Sequence, residues 1–386
     1  MAELGRWDVV VIGAGSVGTP VALSLAEAGA RVLVLDGRPG AGQGSNKAAI
    51  GGVRATHSDL AKIRLGQRAV EIFTDWRERR GDDLEWQAGG YVFAAWRDEE
   101  AEALRRLLAV QQAAGLDVRW LDAPELLAVV PDLARPGLLG GAWSPRDGHC
   151  SPLLAMEAFR RHAERAGARF SFGERATGVE RTGRRVTAVR TTLGRRPTAR
   201  VVLASGAWAR ELAATWDEVL AVRPDAHEAG ITEPVAPFLR PLVVDLRPGP
   251  GSANVYFFQQ QTGQVVFCMT PAPLLWGGDT RETSRFLPSV AQRLLTAMPR
   301  LAALRVRRTW RGLYPMTPDG LPIVGWSQVL GGVFLAVGMC GQGFMFGPAL
   351  GELVARAVLG RPTPADHAVL EALSPGRRTT QPERLG

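Results

Sequence analysis

The sequence predicts an α/β chain with a second, α+β domain. Three observations carry that expectation. Near the start, an apolar run at residues 9–12 leads into Gly13-x-Gly15-x-x-Gly18, and the next apolar run, Val32-Leu33-Val34-Leu35, stops at Asp36. Near the end, the apolar run 333–337 leads into a glycine-rich turn at 338–343 and a helical pattern. From about 222 to 307 the pattern shifts to alternating strands, which predicts an antiparallel sheet.

The first stretch reads as strand, turn, helix (17–29) and strand, the sequence of a Rossmann-like dinucleotide site. Gly13 permits the tight turn and Gly15 lets backbone approach a pyrophosphate. Gly18 lets the helix pack on the strand, so that the helix N-terminus, entered through Ser16 and Val17, faces phosphate charge. Asp36 is placed to accept hydrogen bonds from ribose hydroxyls, with Gly37 and Arg38 just beyond it.

The remaining elements follow in order. A glycine-rich loop spans 40–46. Ser58 is set to cap an amphipathic helix running to Arg80. A strand is expected at 89–95, a helix at 98–114 and a strand at 118–121. A helix at 152–166 precedes short strands at 169–172, 176–181, 186–191 and 200–204. Strands at 242–246, 255–258 and 265–269 and a helix at 289–298 belong to the sheet-rich part. The last strand, 333–337, leads to a helix at 347–359, and the polar end, 376–386, is expected to be disordered. The nucleotide domain is thus expected to be discontinuous, from 1–85, 148–220 and 308–375, with 86–147 and 221–307 forming the substrate domain.

Composition excludes several classes. The net charge is +8, yet the basic residues are nearly all arginine, Lys47 and Lys62 being the only lysines. They lack the aromatic interleaving of a nucleic-acid reader. No apolar run reaches the ~18 residues that a membrane span needs. No apolar leader precedes the first strand, so a cytoplasmic location is expected. Cys150, Cys268 and Cys340 form no close pair, which argues against a zinc site or redox dithiol, and no metal is expected.

Four segments together resemble the D-amino-acid-oxidase-type flavoprotein family, which includes glycine oxidase, sarcosine oxidases and dye-linked L-proline dehydrogenase. They are the Gly13–Asp36 stretch, the loop Gly44-Ser45-Asn46-Lys47 running to Arg54, the turn Ser205-Gly206-Ala207-Trp208, and the C-terminal pair of segments at 318–325 and 338–345. The stretch 227–239 is similar to the proline-dehydrogenase branch. The resemblance implies non-covalent FAD in the Rossmann-like domain. It places contacts at Gly13, Gly15, Ser16, Val17, Gly18, Asp36, Gly37, Arg38, Gly44, Ser45, Asn46, Lys47, Val179, Ser205, Gly206, Trp208, Gly312, Gly341, Gln342, Gly343, Phe344 and Met345.

The resemblance also implies site roles. Arg54, nine residues after Ser45, matches the arginine that grips a substrate carboxylate through paired hydrogen bonds. Lys47 stands where sarcosine oxidase has a histidine near the flavin. Met345 replaces a second cationic carboxylate ligand, as in the proline-dehydrogenase branch, which favours a larger or cyclic apolar side chain. Tyr256 lies where the family often has an active-site tyrosine. Residues 310–315 lack the cysteine that carries covalent flavin, and 264–268 lack the oxygen-activating lysine, which favours a dehydrogenase over an oxidase.

The expected reaction is oxidation of a small-molecule amino acid or secondary amine carrying a carboxylate. Hydride passes from C–H to flavin N5 and an imine results. Electrons would then reach an acceptor subunit or a quinone, and a homo-oligomer is compatible with the chain. Two other readings stay open at this point: an NAD(P)H-dependent flavin monooxygenase, and a non-catalytic FAD-binding subunit of an amine dehydrogenase.

Overall fold

A computed structural model describes residues 6–378. They form two compact units, one from residues 6–49, 152–224 and 314–378, the other from 50–151 and 225–313.

The first unit is built on a six-stranded sheet. Its strand order is Ile323–Trp326, Val333–Val337, Val201–Leu203, Val9–Ile12, Val32–Asp36 and Arg169–Phe172. All neighbours are parallel except Ile323–Trp326, which runs antiparallel to Val333–Val337. Strands covered on both faces read as unbroken apolar runs, and Val9, Val10 and Val11 are indeed fully buried. One face packs Val10, Ile12, Leu33 and Leu203 against Val179, Val186 and Val189 of a three-stranded antiparallel sheet.

The helices Gly18–Glu27 and Gly343–Val358 of this unit touch through backbone. A Cβ on Gly347 would stand 2.0 Å from the Ser16 carbonyl oxygen, and one on Gly351 would stand 2.7 Å from that of Pro20. The C-terminal helix therefore begins at Gly343, four residues earlier than its glycines suggested, because close packing outweighs their ~1 kcal/mol helix penalty. A further helix, Pro364–Ala372, starts at a capping box between Thr363 and Asp366. Of the segment 376–386, Arg377 is anchored, its guanidinium gripping Asp319 at 2.8 and 3.0 Å. The expected disorder of 379–386 lies outside the described residues.

The second unit carries an eight-stranded sheet. Its order is Val306–Met316, Arg223–Thr232, Val265–Pro271, Ser252–Gln259, Leu242–Asp245, Tyr91–Ala95, Gly140–Ser144 and Arg119–Asp122. The sheet is not wholly antiparallel, since Leu242–Asp245 runs parallel to Tyr91–Ala95. Val92, Val243, Phe257 and Phe267 pack against Val290 and Leu294 of the helix Phe286–Ala297. The helix Leu60–Arg80 is capped by Asp59, not Ser58: the Asp59 carboxylate accepts the Lys62 N–H at 3.1 Å.

Residues 50–85 fall in this second unit rather than with the dinucleotide turn. The cause is a pairing distant in sequence: Gly52–Val53 forms an antiparallel ladder with Gly148–His149, which falls in the same unit. Residues 308–313 also belong to the second unit, and 221–224 to the first. No helix among the described residues is long and apolar enough to cross a membrane.

Candidate functional site

In the first unit the three glycines of the N-terminal turn do three separate things. Gly13 has φ +107°, and a Cβ there would lie 2.5 Å from the Ala204 carbonyl oxygen. A Cβ on Gly18 would lie 1.9 Å from the Gly13 carbonyl oxygen. A Cβ on Gly15 would meet nothing within 4 Å, so its backbone borders open space. Neither Gly18–Glu27 nor Gly343–Val358 has a side-chain N-cap, and a Cβ on Gly343 would stand 3.2 Å from Ser16 Oγ. Two helix N-termini with uncapped N–H groups thus adjoin at one spot, an arrangement that attracts phosphate.

Asp36 ends the second strand and holds the turn. One carboxylate oxygen accepts the Ala14 N–H and the other the Arg38 N–H, both at 2.8 Å. Each oxygen keeps acceptor capacity for a hydroxyl. A Cβ on Gly37 would touch the Arg175 side chain. The loop that follows returns to this turn, because Gly42 N–H donates to the Ala14 carbonyl at 2.8 Å. A Cβ on Gly44 would lie 3.5 Å from the Trp208 ring, and Arg38 stacks its guanidinium 5.5 Å from the centre of that ring.

Four expected contacts carry a buried polar atom with no hydrogen-bond partner: Ser45 Oγ, Asn46 Oδ1, Ser205 Oγ and Gln342 Oε1. Leaving such an atom unmet costs about 1–3 kcal/mol, so four in one unit mark the cradle of a polar guest. Gly206 has φ +55° beside them. Gly341 has φ +83°, and any Cβ there would run into the Tyr314 ring at 2.2 Å. Phe344 is buried, Met345 half-buried and Lys47 exposed. The Val179 side chain belongs to the core. These residues fit a dinucleotide: open space at Gly15, paired helix N-termini for the pyrophosphate, Asp36 for the ribose, and unmet polar atoms beyond.

The second unit builds a buried polar cluster around Arg54, which is only 7% exposed. Arg54 Nη1 donates to the Thr56 carbonyl and lies 3.2 Å from His57 Nδ1. Arginine has only donors, so this ring nitrogen is the acceptor and His57 is neutral. Burial, then the positive charges of Arg54 and Lys62, hold the His57 pKa well below its usual value. The guanidinium also sits 5.5 Å from the centre of the Phe93 ring.

Asp147 braces the segment. Its carboxylate accepts the Ala55 N–H at 2.9 Å and the Thr56 hydroxyl at 3.1 Å. Burial pushes its pKa up to about 6, against the pull of those hydrogen bonds, of Ser144 and of the Arg54 charge. Burial likewise raises the Tyr91 phenol and lowers His149 to about 4. The arrangement is a shielded cation that donates to a carbonyl and faces a neutral ring, and its fork of N–H donors is of the kind that receives a carboxylate.

Tyr256 is half-buried and lies across the ladder from Cys268, to whose thiol it hydrogen-bonds. Gly312, half-buried on the strand Val306–Met316, is in this unit too. Sequence reasoning gave no role to Asp147, Tyr91 or Lys62. Asp147 has no local signal. Lys62 had one, since it shares a helical stripe with Leu65, Ala69 and Phe73 and is fully buried.

The protein-family model described as DAO, FAD dependent oxidoreductase, matches residues 8–357. Glycine oxidase of Geobacillus kaustophilus is 28% identical over 94% of this chain and 96% of its own length. Hydrogen cyanide synthase subunit HcnC of Pseudomonas aeruginosa is 28% identical over 77% of this chain and 70% of its own. Among solved structures, L-proline dehydrogenase from P. horikoshii superposes with a TM-score of 0.88 at 29% identity, covering 93% of this chain and 95% of that one.

Proposed function

The chain belongs to the FAD dependent oxidoreductase family, and from that premise we propose that it oxidises an amino acid or secondary amine bearing a carboxylate to the corresponding imine. The observation that carries this reading is the buried Arg54 guanidinium, held by the Thr56 carbonyl and a neutral His57. A fork of N–H donors fixes a carboxylate in both position and plane. Its burial strengthens that grip by excluding water.

The first unit holds the cofactor through the Gly13–Gly18 turn, Asp36, the loop from Gly44 to Lys47, Ser205–Trp208 and the segment Gly341–Met345. Bound there, FAD supplies the two-electron acceptor for hydride leaving the carbon beside the amine. Arg54 orients the substrate, with Tyr256 as a second polar contact, so the chain contributes positioning rather than a dedicated base. The half-buried Met345 accommodates an apolar side chain, which favours larger or cyclic amino acids over glycine.

FAD is held without a covalent bond, because the strand Val306–Met316 offers no cysteine. The strand Val265–Pro271 carries no cation to stabilise reduced oxygen. The reading is therefore a dehydrogenase that passes electrons to a quinone or protein acceptor.

Anaerobic mixing with a panel of amino acids and N-methyl amino acids tests the proposal. Bleaching of the flavin by one of them, without NADPH, supports it. Bleaching by NADPH alone indicates a monooxygenase, and no bleaching indicates a non-catalytic subunit. Slow recovery of colour on admitting oxygen, with fast recovery on adding a quinone, supports the dehydrogenase.

A further inference from the structure

The six-stranded sheet of the first unit carries a cavity at the strand ends away from its glycine-rich turn. Its C-terminal strand ends, at Gly13 and Ser205, carry the dinucleotide cradle. At the opposite ends of the same strands, about 15 Å away at ~3.3 Å per residue, lies a cavity of about 880 Å³. Four arginines line it, Arg6, Arg184, Arg185 and Arg200, together with Trp7 and Trp326.

The positive charge on this surface exceeds its acid: the Asp8 carboxylate feels the Arg200 charge, but it is a single acid among four arginines. Asp8 is the one carboxylate of the lining. It is already engaged by Arg31, through the backbone N–H at 2.8 Å and the guanidinium at 3.5 Å. Among the described residues, no carboxylate is within ion-pair distance of Arg184, Arg185 or Arg200. Arginines converging on a concave surface in excess of its acid focus positive potential into it. The indole N–H of Trp7 is buried and has no acceptor.

The turns that form the walls are held to each other by backbone hydrogen bonds. Gly331 N–H donates to the Arg184 carbonyl at 2.8 Å, and Val186 N–H to the Gly331 carbonyl at 3.0 Å. Arg184 Nη2 reaches the Gln328 carbonyl at 2.9 Å. Trp326 is 43% exposed, its ring held edge-on to the buried Phe334 at 5.2 Å. An exposed aromatic face beside several guanidiniums combines a stacking platform with phosphate forks.

We propose that this cavity is a second ligand site, separate from the FAD cradle, that binds a nucleoside phosphate. Its phosphates lie among Arg184, Arg185 and Arg200, and its base stacks on Trp326. The inference is independent of the amine-oxidising activity.

The test uses the full chain saturated with FAD, so that the dinucleotide cradle is filled, titrated calorimetrically with ADP and separately with pyrophosphate. One ADP per chain is expected, with affinity falling steeply as salt rises. Arg185→Ala/Arg200→Ala should weaken ADP at least tenfold while FAD content and melting temperature stay unchanged. Arg185→Lys/Arg200→Lys, which keeps the charge, should lose less. Trp326→Ala should weaken ADP and leave pyrophosphate unaffected. No binding of ADP, or binding indifferent to the arginine variants, overturns the site. Equal affinity for ADP and pyrophosphate, unmoved by Trp326→Ala, overturns the nucleoside assignment.

Discussion

The Asp147 carboxylate accepts the backbone N–H of Ala55 at 2.9 Å, one residue after Arg54. With its other oxygen it accepts the Thr56 hydroxyl, so a single buried acid holds the two residues that follow Arg54.

That acid gives the protein a measurable pH signature. Its pKa is about 6 when folded and near 3.8 when exposed. A raised folded pKa means that the native state binds the proton more tightly. The contribution is present below pH 4 and is lost as pH rises through about 6, a change of about 3 kcal/mol. His57 and His149 act oppositely: their lowered pKa values favour folding above pH 6.5, and that contribution is lost as pH falls. Comparison with Asp147→Asn cancels the histidines. Denaturation at stepped pH should show the wild type losing stability relative to this variant between pH 4 and 6, and no further change above pH 7. A difference that is flat across that range would show that Asp147 does not titrate there.

Arg54 is testable by shape as well as charge. Arg54→Met should lower kcat/KM for a carboxylate-bearing amine roughly 10²- to 10⁴-fold, the worth of two charge-assisted hydrogen bonds at ~1.5–3 kcal/mol each. Flavin absorbance of the purified protein should be unchanged. Arg54→Lys should recover only part of the loss, since a point charge lacks the fork. An amine without a carboxylate should be oxidised equally by all three, and equal kinetics on the carboxylate substrate would remove Arg54 from the site.

Asp36 separates a cofactor role from a structural one. Asp36→Ala strips acceptors from Ala14 and Arg38 as well as from a ribose, so both FAD affinity and apo-protein stability should fall. Asp36→Asn keeps one acceptor oxygen and should restore stability more than affinity. Flavin-fluorescence titration and thermal melts of the same samples make the comparison, and parallel recovery of both would assign Asp36 to the fold alone.

The parts legible in the sequence are those whose cause is local. The Gly13–Gly18 turn, Asp36 and the run Val333–Val337 announce themselves through glycine spacing and unbroken apolar runs. Asp147 does not, because its meaning lies in a hydrogen bond across 92 positions. The strand Arg223–Thr232 was hidden by its polar content. In the fold, Asp225 is tied to His227 at 2.7 Å and Glu228 to Thr283 at 2.7 and 2.8 Å, so buried polar groups occupy strand positions. Gly343 reads as the end of a glycine-rich turn until Ser16 is placed against the helix, its hydroxyl beside Gly343 and its carbonyl oxygen beside Gly347. The helix Pro364–Ala372 was legible in principle, since Thr363-Pro364-Ala365-Asp366 is a capping box with proline at the first helical position.

Gly15 and Gly18 of the turn should fail in different ways when given a methyl group. A Cβ on Gly15 meets nothing within 4 Å, so Gly15→Ala should leave the apo-protein within ~0.5 kcal/mol of wild type. It should nonetheless bind FAD far more weakly, because the methyl group occupies the space into which the pyrophosphate must come. A Cβ on Gly18 lies 1.9 Å from the Gly13 carbonyl oxygen, and that atom is backbone and cannot swing aside. Gly18→Ala should therefore destabilise the apo-protein by about 1–3 kcal/mol, the cost of overpacking, and lose FAD as a consequence. Thermal melts of the two apo-proteins and fluorescence titrations with FAD discriminate the cases. A stable Gly15→Ala protein that binds FAD normally would mean that the open space beside Gly15 is not where the phosphates lie.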